Sequence, residues 1–214
     1  MFYDAAKRVL DVVVALVVLV VFSPVFLMMP WLIRLTSAGP VLADIPQRVG
    51  KNRRPFRIYK FRSMVPNAHE MLKTDPRYKS LYQKYLRNNY KLAVEDDPRI
   101  TRMGRWLRKY SLDELPQVFN VLKGEMSIVG PRAYYSEELE KQQLVFPQTK
   151  PYINKLLTVK PGVTGRWQVS GRNEIDFAER VKMDAAYAEN RSLVEDLVII
   201  LRTPHAMFSG KGAI

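Results

Sequence analysis

The chain has 214 residues, enough for one substantial domain or for a domain with a membrane anchor. It contains no cysteine and only two histidines, which excludes disulfides, thiolate nucleophiles and cysteine-based metal sites and makes a hard cation with oxygen ligands the expected metal. The formal net charge of +13 favours an anionic partner: nucleic acid, an anionic membrane surface or a phosphorylated substrate.

An apolar run of 22 residues extends from Val12 to Ile33. It is long enough to cross a bilayer core and too long for a signal-peptide core, and no small-residue cleavage site follows it. Ser23 and Pro24 lie at its middle, where proline removes a helical hydrogen bond and the serine hydroxyl can bind the freed carbonyl. Basic residues flank both ends, and such residues tend to stay on the cytoplasmic side. We therefore predict a re-entrant helix bent at Ser23 and Pro24, with a kinked spanning helix as the alternative.

Residues 37–54 are rich in glycine, proline and basic residues, which predicts turns around a short strand. Apolar residues then alternate roughly from Phe56 to Phe61. This alternation predicts a strand that brings Lys60 and Arg62 to one place. A basic strand on the protein surface is the alternative.

Two further helices are predicted before the central segment. Asp75 followed by Pro76 is typical of a helix start, and tyrosines recur at helical spacing over residues 78–86, where they would rest on lipid headgroups or pack against the protein. Residues 95–108 contain an acidic turn and then an amphipathic helix rich in arginine, which ends at Arg108.

The segment from Ser111 to Arg132 carries the candidate chemistry. Apolar residues recur at helical spacing over residues 112–122, and two adjacent carboxylates, Asp113 and Glu114, follow the arginine-rich helix. An acidic pair among cations is what metal-assisted chemistry on a phosphate ester needs. The alternative is an ordinary helix start, with Ser111 or Asp113 as the N-cap and a solvated ion pair.

Residues 161–172 include three glycines together with Gln168 and Arg172. Closely spaced glycines let backbone N–H groups approach an anion, although the spacing matches neither a Walker loop nor a dinucleotide fingerprint. A glycine-rich hairpin is the alternative. Residues 181–187 and 193–208 are predicted helices, and the second is too short and too interrupted by charges to span a bilayer.

Motifs spread along nearly the whole chain occur together in one order. They are Lys7-Arg8 and Asp11, Ser23-Pro24, Lys60 to Met64, Asp97 to Thr101, Gly104, Leu107-Arg108, Ser111 to Gln117, Phe119 to Leu122, Gly124, Met126-Ser127, Val129 to Arg132, Lys160 to Gly165, Trp167 to Arg172, Asp184 and Tyr187. In this combination the chain resembles the bacterial sugar transferases, a family of monotopic polyprenyl-phosphate phosphoglycosyl transferases.

The resemblance implies a fold that is mainly α with short β elements. Residues 1–36 would form a re-entrant helix-break-helix in the membrane. Residues 37–214 would form a catalytic domain, with surface-lying amphipathic helices, on the cytoplasmic face of the bacterial cytoplasmic membrane. The chain length favours a stand-alone catalytic unit without the additional N-terminal helices of larger members.

The resemblance also implies a reaction, in which a sugar 1-phosphate passes from a UDP-sugar to polyprenyl (undecaprenyl) phosphate and UMP is released. This would be the first membrane step of polysaccharide or glycoconjugate synthesis, such as that of an exopolysaccharide. By resemblance Asp113 is the nucleophile that forms a phospho-sugar intermediate, Glu114 helps to hold Mg²⁺, and Arg132 clamps a phosphate. Further substrate or phosphate contacts are expected at Lys60, Arg62, Arg108, Gln168, Arg172 and Asp184.

Two departures from the family pattern leave the choice of sugar open. Ala133 follows the Gly-Pro-Arg turn where members often have proline, and Asp44-Ile45-Pro46 replaces a usual Gln-Glu-Arg. A hexose 1-phosphate, of galactose or glucose, is favoured. The expected partners are the UDP-sugar, polyprenyl phosphate and membrane lipids; a homodimer stays open and nucleic acid is not expected. The alternative from another class is a membrane-tethered protein that binds nucleic acid or lipid through its positive charge.

Overall fold

The computed structural model describes residues 2–88, 92–171 and 175–208. Within these ranges the helices are α1 (Phe2–Val21), α2 (Ser23–Thr36), α3 (Ala68–Thr74), α4 (Lys79–Arg87), α5 (Arg102–Lys109), α6 (Gln117–Lys123), α7 (Ser136–Val145), α8 (Lys150–Leu156), α9 (Arg166–Ser170), α10 (Phe177–Asn190) and α11 (Leu193–Phe208). The strands are β1 (Arg48–Val49), β2 (Pro55–Phe56), β3 (Ser127–Val129) and β4 (Gly162–Thr164). The mainly helical architecture with short strands is confirmed.

The N-terminal helix pair bends by 63° between α1 and α2, as predicted. Pro24 has no N–H to offer the carbonyl of Val20, and the Ser23 hydroxyl donates to that carbonyl at 2.8 Å instead. In the described part of the chain, no individual helix has the length and hydropathy of a membrane span, whereas α1 and α2 together do as a bent pair. The re-entrant topology stays a prediction.

The first half of α1 is attached to the rest of the protein by buried polar contacts. The Asp11 carboxylate accepts hydrogen bonds from the Ser127 hydroxyl, at 2.9 and 2.8 Å to its two oxygens, and from the Ile128 N–H at 2.9 Å. Lys7 donates to the same carboxylate at 2.8 Å. Arg8 donates to the carbonyls of Val121 and Leu122 in the last turn of α6.

The apolar core continues this attachment. One cluster packs α1 against α6, β3 and α11, and a second joins α7, α8 and α10. A third connects Ile33 of α2 to Phe61 and Leu107, so α2 is packed against the segment that carries Lys60 and Arg62. The two helices of the anchor therefore share one body with the central segment.

The two small sheets confirm short β elements but not all predicted pairings. β1 and β2 pair antiparallel, whereas β3 and β4 pair in parallel, so the glycine-rich hairpin is wrong. A Cβ atom at Gly162 would lie 2.1 Å from the Gly130 nitrogen, and one at Gly165 would lie 2.4 Å from the Gly130 carbonyl oxygen. The glycine spacing thus serves the close approach of two backbones.

The central segment is not one continuous helix. Residues Leu112–Glu114 form a 3₁₀ turn, and α6 begins only after Pro116. Ser111 has a left-handed backbone with φ of 54° and forms no capping hydrogen bond, so the ordinary N-cap interpretation is wrong. The turn places Asp113 on the wall of a cavity.

Candidate active site

A cavity of about 380 Å³ opens beside the 3₁₀ turn. It brings together most of the residues predicted from the sequence. The members of that set that line it are Lys60, Arg62, Arg108, Asp113, Glu114, Arg132 and Gln168. They come from five separate segments of the chain, so the fold and not the sequence spacing assembles them.

Asp113 is held in place by its own backbone. Its carbonyl accepts the Phe61 N–H at 2.9 Å, which fixes the turn against the extended segment that carries Lys60. The side chain is 7% exposed. Burial raises the pKa of the Asp113 carboxyl, Lys60 opposes that rise, and the neighbouring Glu114 carboxylate adds to it. Desolvation of this kind makes a carboxylate a better nucleophile than it is in water.

Glu114 differs from its neighbour because it has a cationic partner. Its carboxylate forms an ion pair with the Lys60 ammonium group. Burial by itself would raise the pKa of Glu114, but Lys60 outweighs it and holds that pKa below its usual range. Of the two adjacent carboxyls, Asp113 therefore binds a proton more readily and Glu114 stays ionised.

The cavity wall carries an excess of positive charge. Lys60 pairs with Glu114, and Arg99 pairs with Asp97 at 2.6 Å. Four other arginines on the wall form no salt bridge with an acid in the parts of the chain that the structure describes: Arg48, Arg62, Arg108 and Arg132. Arginines without such a salt bridge, arranged around one buried carboxylate, suit a multiply charged phosphate ester.

Arg132 is positioned from behind by a buried carboxylate. Its backbone N–H donates to Asp184 at 3.0 Å, and the Tyr134 hydroxyl donates to the same oxygen at 3.1 Å. The Arg132 guanidinium lies 5.5 Å from the ring centroid of Trp167, which also lines the cavity. Asp184 itself is 1% exposed and does not line the cavity.

The remaining predicted residues lie elsewhere. Ser23 and Pro24 form the bend of the anchor, away from the cavity wall. Arg172 falls outside the described residues. Gln168, by contrast, does line the cavity, and its side-chain oxygen is buried without a hydrogen-bond partner among the residues that the structure describes.

Three cavity residues were given no role from the sequence. The Arg48 guanidinium lies 3.3 Å from the ring centroid of Tyr135, and the His69 ring lies 6.1 Å from the same ring. Desolvation lowers the pKa of His69, and the charge of Lys73 lowers it further, so the imidazole is neutral near pH 7. Only the basic character of the segment around Arg48 gave a sequence signal.

The carboxylates fit a divalent cation only together with a substrate. No group of three or more acidic or histidine side chains that could hold a metal occurs within residues 2–88, 92–171 and 175–208. Mg²⁺ is usually bound by one or two carboxylates, with substrate phosphates and water filling the other positions. Asp113 and Glu114 match that pattern and not a metal site made of protein ligands alone.

Comparisons with known proteins agree with this geometry. A family model described as bacterial sugar transferase matches residues 2–210. The chain is 42% identical over 211 residues to the undecaprenyl-phosphate galactose phosphotransferase of Salmonella typhimurium. It is 40% identical over 212 residues to the exopolysaccharide production protein ExoY of Sinorhizobium fredii, and 43% identical over 209 residues to the galactosyl transferase CpsE of Streptococcus agalactiae.

These relatives differ in how much of them the chain represents. Each alignment covers 97% of this chain. The chain spans 41% of the Salmonella protein and 43% of the Streptococcus protein, but 88% of the Sinorhizobium protein. The residues matched by the family model, 2–210, include the cavity and the bent helix pair.

Proposed function

The chain belongs to the bacterial sugar transferase family, and on this premise we propose that it transfers a sugar 1-phosphate from a UDP-sugar to polyprenyl phosphate and releases UMP. The observation that carries the proposal is the buried Asp113 carboxylate, which shares one cavity with several arginines that form no salt bridge in the described structure. Two of the similar proteins are named for galactose transfer, so galactose 1-phosphate is the first group to test, with glucose 1-phosphate next.

The reaction proceeds in two displacements at one phosphorus atom. A carboxylate oxygen of Asp113 attacks the β-phosphorus of the UDP-sugar, and the bond from that phosphorus to the bridging oxygen breaks, so UMP leaves. The product is an aspartyl phospho-sugar intermediate. A phosphate oxygen of the polyprenyl phosphate then attacks the same phosphorus and restores the Asp113 carboxylate.

The surrounding residues lower the charge repulsion between a carboxylate and a diphosphate. Arg108 and Arg132 bring guanidinium groups to the transferred phosphate, and the Lys60–Glu114 pair keeps Glu114 ionised. Mg²⁺, when bound through Glu114, neutralises charge on the phosphate oxygens. The unpartnered oxygen of Gln168 accepts a hydrogen bond from a donor hydroxyl.

The anchor supports a location at the bacterial cytoplasmic membrane. Tyr3 at the start of α1 and Ser37 just after α2 both bind residues of the catalytic body, at Asp196 and Arg62. Both ends of the bent pair therefore lie on the same side of it, which agrees with re-entry. Apolar side chains near the bend are exposed, with Val20 at 74%.

Further exposed apolar side chains occur on α2 and α11. Leu27 and Trp31 of α2 are 72% and 70% exposed, and Val194 and Leu201 of α11 are 73% and 78% exposed. Such surfaces are typical of helices that rest in a lipid interface. We place the catalytic domain on the cytoplasmic face, where UDP-sugars are supplied.

A donor panel tests the proposal. The purified protein in detergent receives polyprenyl phosphate, Mg²⁺ and in turn UDP-galactose, UDP-glucose and their N-acetyl forms, and UMP release is measured. We expect turnover with one hexose donor and its loss in Asp113→Asn, while Asp96→Asn, a change in an exposed ion pair, leaves turnover unchanged. Turnover with none of the donors, or full turnover in Asp113→Asn, would overturn the proposal.

A further inference from the structure

Arg62 is a buried cation on the cavity wall whose charge nothing described in the structure compensates. The residue is 4% exposed and lines the cavity with Asp113. Its Nε and Nη1 atoms have no hydrogen-bond partner in the described structure. Desolvation lowers the pKa of the guanidinium, and no acid offsets this. A buried guanidinium with two free donor atoms costs free energy unless a ligand binds it.

The third nitrogen of the Arg62 guanidinium, Nη2, is bonded to the residue that follows α2. Nη2 of Arg62 donates to the Ser37 carbonyl at 2.7 Å and to the Ser37 hydroxyl at 2.8 Å. Ser37 is the C-cap residue of α2. Two bonds through one nitrogen hold the guanidinium in one orientation. They leave Nε and Nη1, which point to different sides of the group, as N–H donors without an acceptor in the described structure, and a phosphate accepts hydrogen bonds from such donors.

Gly39 lies directly beside the Arg62 guanidinium, where a side chain would not fit. Gly39 has a φ of 113°, in the region that side chains rarely adopt. A Cβ atom there would lie 2.2 Å from Nη1 of Arg62. Glycine at this position therefore lets the backbone pass against Nη1 of Arg62 without displacing the guanidinium.

Arg62 and Lys60 approach the reacting carboxylate from different directions. Both flank Phe61, whose N–H binds the Asp113 carbonyl. Lys60 reaches Glu114, whereas Arg62 reaches the end of the membrane hairpin. Lys60 thus pairs with an acid of the Asp113–Glu114 pair, whereas Arg62 lies beside Ser37, the residue that follows α2.

We propose that the unpaired N–H groups of Arg62 bind the phosphate of the lipid acceptor, separately from the groups that bind the donor diphosphate. This inference rests on the proposed function. A polyprenyl chain lies in the bilayer, so its phosphate reaches Asp113 from the anchor side, past Ser37. Binding there holds the acceptor phosphate near the intermediate and leaves Arg132 and Lys60 for the donor.

The same phosphate chemistry is offered by the donor, and the two half-reactions distinguish the sources. Exchange of labelled UMP into the UDP-sugar, without any acceptor, measures only the donor half. Complete turnover as a function of polyprenyl phosphate concentration measures the acceptor half. We test Arg62→Lys, which keeps the charge but loses the planar guanidinium, and Arg62→Gln, which loses the charge. A third variant, Ser37→Ala, removes the hydroxyl that accepts from Nη2 but keeps the backbone carbonyl of residue 37 and Arg62 itself.

We expect Arg62→Lys and Arg62→Gln to raise the KM for polyprenyl phosphate by about tenfold or more while UMP exchange stays within about twofold of the wild type. Ser37→Ala raises that KM by a smaller factor. The control Arg57→Gln, a change in an exposed ion pair with Asp44, alters neither measurement. Thermal unfolding of each variant in detergent identifies any that fail to fold.

Several outcomes would overturn the inference. Equal loss of UMP exchange in the Arg62 variants would assign the guanidinium to the donor phosphate. An unchanged KM for polyprenyl phosphate in folded Arg62→Lys and Arg62→Gln would assign it to structure alone. Failure of the proposed function looks different, because the wild type would then show neither UMP exchange nor turnover.

Discussion

The Asp184 carboxylate accepts the backbone N–H of Arg132 at 3.0 Å, and so connects helix α10 to the candidate phosphate clamp. Burial raises the pKa of Asp184 to about 7, against the opposing effect of the hydrogen bonds from Arg132 and Tyr134. A carboxyl that is buried in this way is tolerated because it fixes a backbone that carries an active-site side chain. Its protonation changes close to neutral pH.

Asp184→Asn is expected to change how stability depends on pH. A carboxyl whose pKa is raised by folding favours the folded state most when protonated, so its contribution declines as pH rises from the usual aspartate value toward 7. That rise corresponds to roughly 4 kcal/mol. The difference between the melting temperatures of Asp184→Asn and the wild type should therefore shift in favour of the variant by roughly 5–10 °C from pH 5 to pH 8.

Thermal unfolding in detergent across this range provides the measurement. Tyr134→Phe removes a hydrogen bond that lowers the pKa of Asp184, so in this variant the loss of stability should continue to higher pH than in the wild type. The melting temperature of Asp96→Asn, a change at an exposed ion pair, should vary with pH in the same way as that of the wild type. Parallel curves for the wild type and Asp184→Asn would contradict the raised pKa.

Lys60→Met is expected to shift the pH dependence of catalysis. Lys60 lowers the pKa of both Asp113 and Glu114, so without it both carboxyls bind protons at higher pH. Because the nucleophile must be ionised, the acidic limb of the kcat/KM profile should move upward by about one pH unit.

UMP release measured from pH 5 to pH 9 tests this shift. Lys60→Arg keeps a cation beside Glu114 and should move the limb less. Lys84→Met, which removes an exposed lysine paired with Asp96, serves as the control. A uniform loss of rate without movement of the limb would mean that Lys60 acts by other means than through the carboxyl pKa values.

The sequence was informative where a function depends on a short motif. Asp113 and Glu114 are adjacent, and Lys60 and Arg62 are two residues apart, so one short segment brings both cations to the wall of the cavity. The strand predicted for that segment is wrong, since β2 covers only Pro55–Phe56 and Phe61 forms an isolated bridge. The bend could also be predicted from a short motif, since Pro24 and Ser23 act within one helical turn. Local chemistry determines these features.

The sequence was less informative where a role depends on distant packing. Asp184 was expected to contact substrate, yet it lies behind Arg132, because only the docking of α10 decides which backbone it meets. Arg48 meets Tyr135 across 87 positions of sequence, and no periodicity predicts that contact. The contact between Gly162 and Gly130 could not be predicted either. The glycine spacing indicates that the backbone can approach another group closely, but it does not identify that group.

Replacement of Pro24 is expected to straighten the anchor. In Pro24→Ala the new N–H can bind the Val20 carbonyl, and in combination with Ser23→Ala nothing competes for it. A straight helix over the 22-residue apolar run is about 33 Å long, enough to span the bilayer core. A fraction of the double variant should therefore place its N-terminus on the opposite side of the membrane.

The absence of cysteine in the chain makes this measurable with single introduced thiols. A cysteine in an N-terminal tag reports the position of the N-terminus, and Leu144→Cys, at a side chain that is 82% exposed, reports the catalytic domain. A membrane-impermeant maleimide applied to inside-out and right-side-out vesicles labels each thiol from one side. The two thiols should react from the same side in the wild type and from opposite sides in part of the double variant. Opposite sides in the wild type would refute re-entry.

Asp11→Ala is expected to detach α1 from the catalytic body. Asp11 is 3% exposed and accepts bonds from Ser127 and Ile128 as well as from Lys7. Its removal leaves a buried ammonium group with only Asp196, 3.7 Å away, as a nearby acid. Loss of one partner of a buried pair costs about 3 kcal/mol or more, whereas Asp11→Asn, which keeps an acceptor for Ser127, should cost about half of that.

The reason to expect more than a general loss of stability is the position of β3. Ser127 begins this strand, which leads directly to Gly130 and Arg132. Loss of the Asp11 carboxylate removes the hydrogen bonds that hold Ser127, so the segment that carries Arg132 should become more mobile. Unfolding in detergent should show the destabilisation, and UMP exchange in the folded fraction should show a higher KM for the UDP-sugar. Asp96→Ala, at an exposed pair, should change stability by less than about 1 kcal/mol. Equal effects of Asp11→Ala and Asp96→Ala would mean that the anchor contributes only membrane binding.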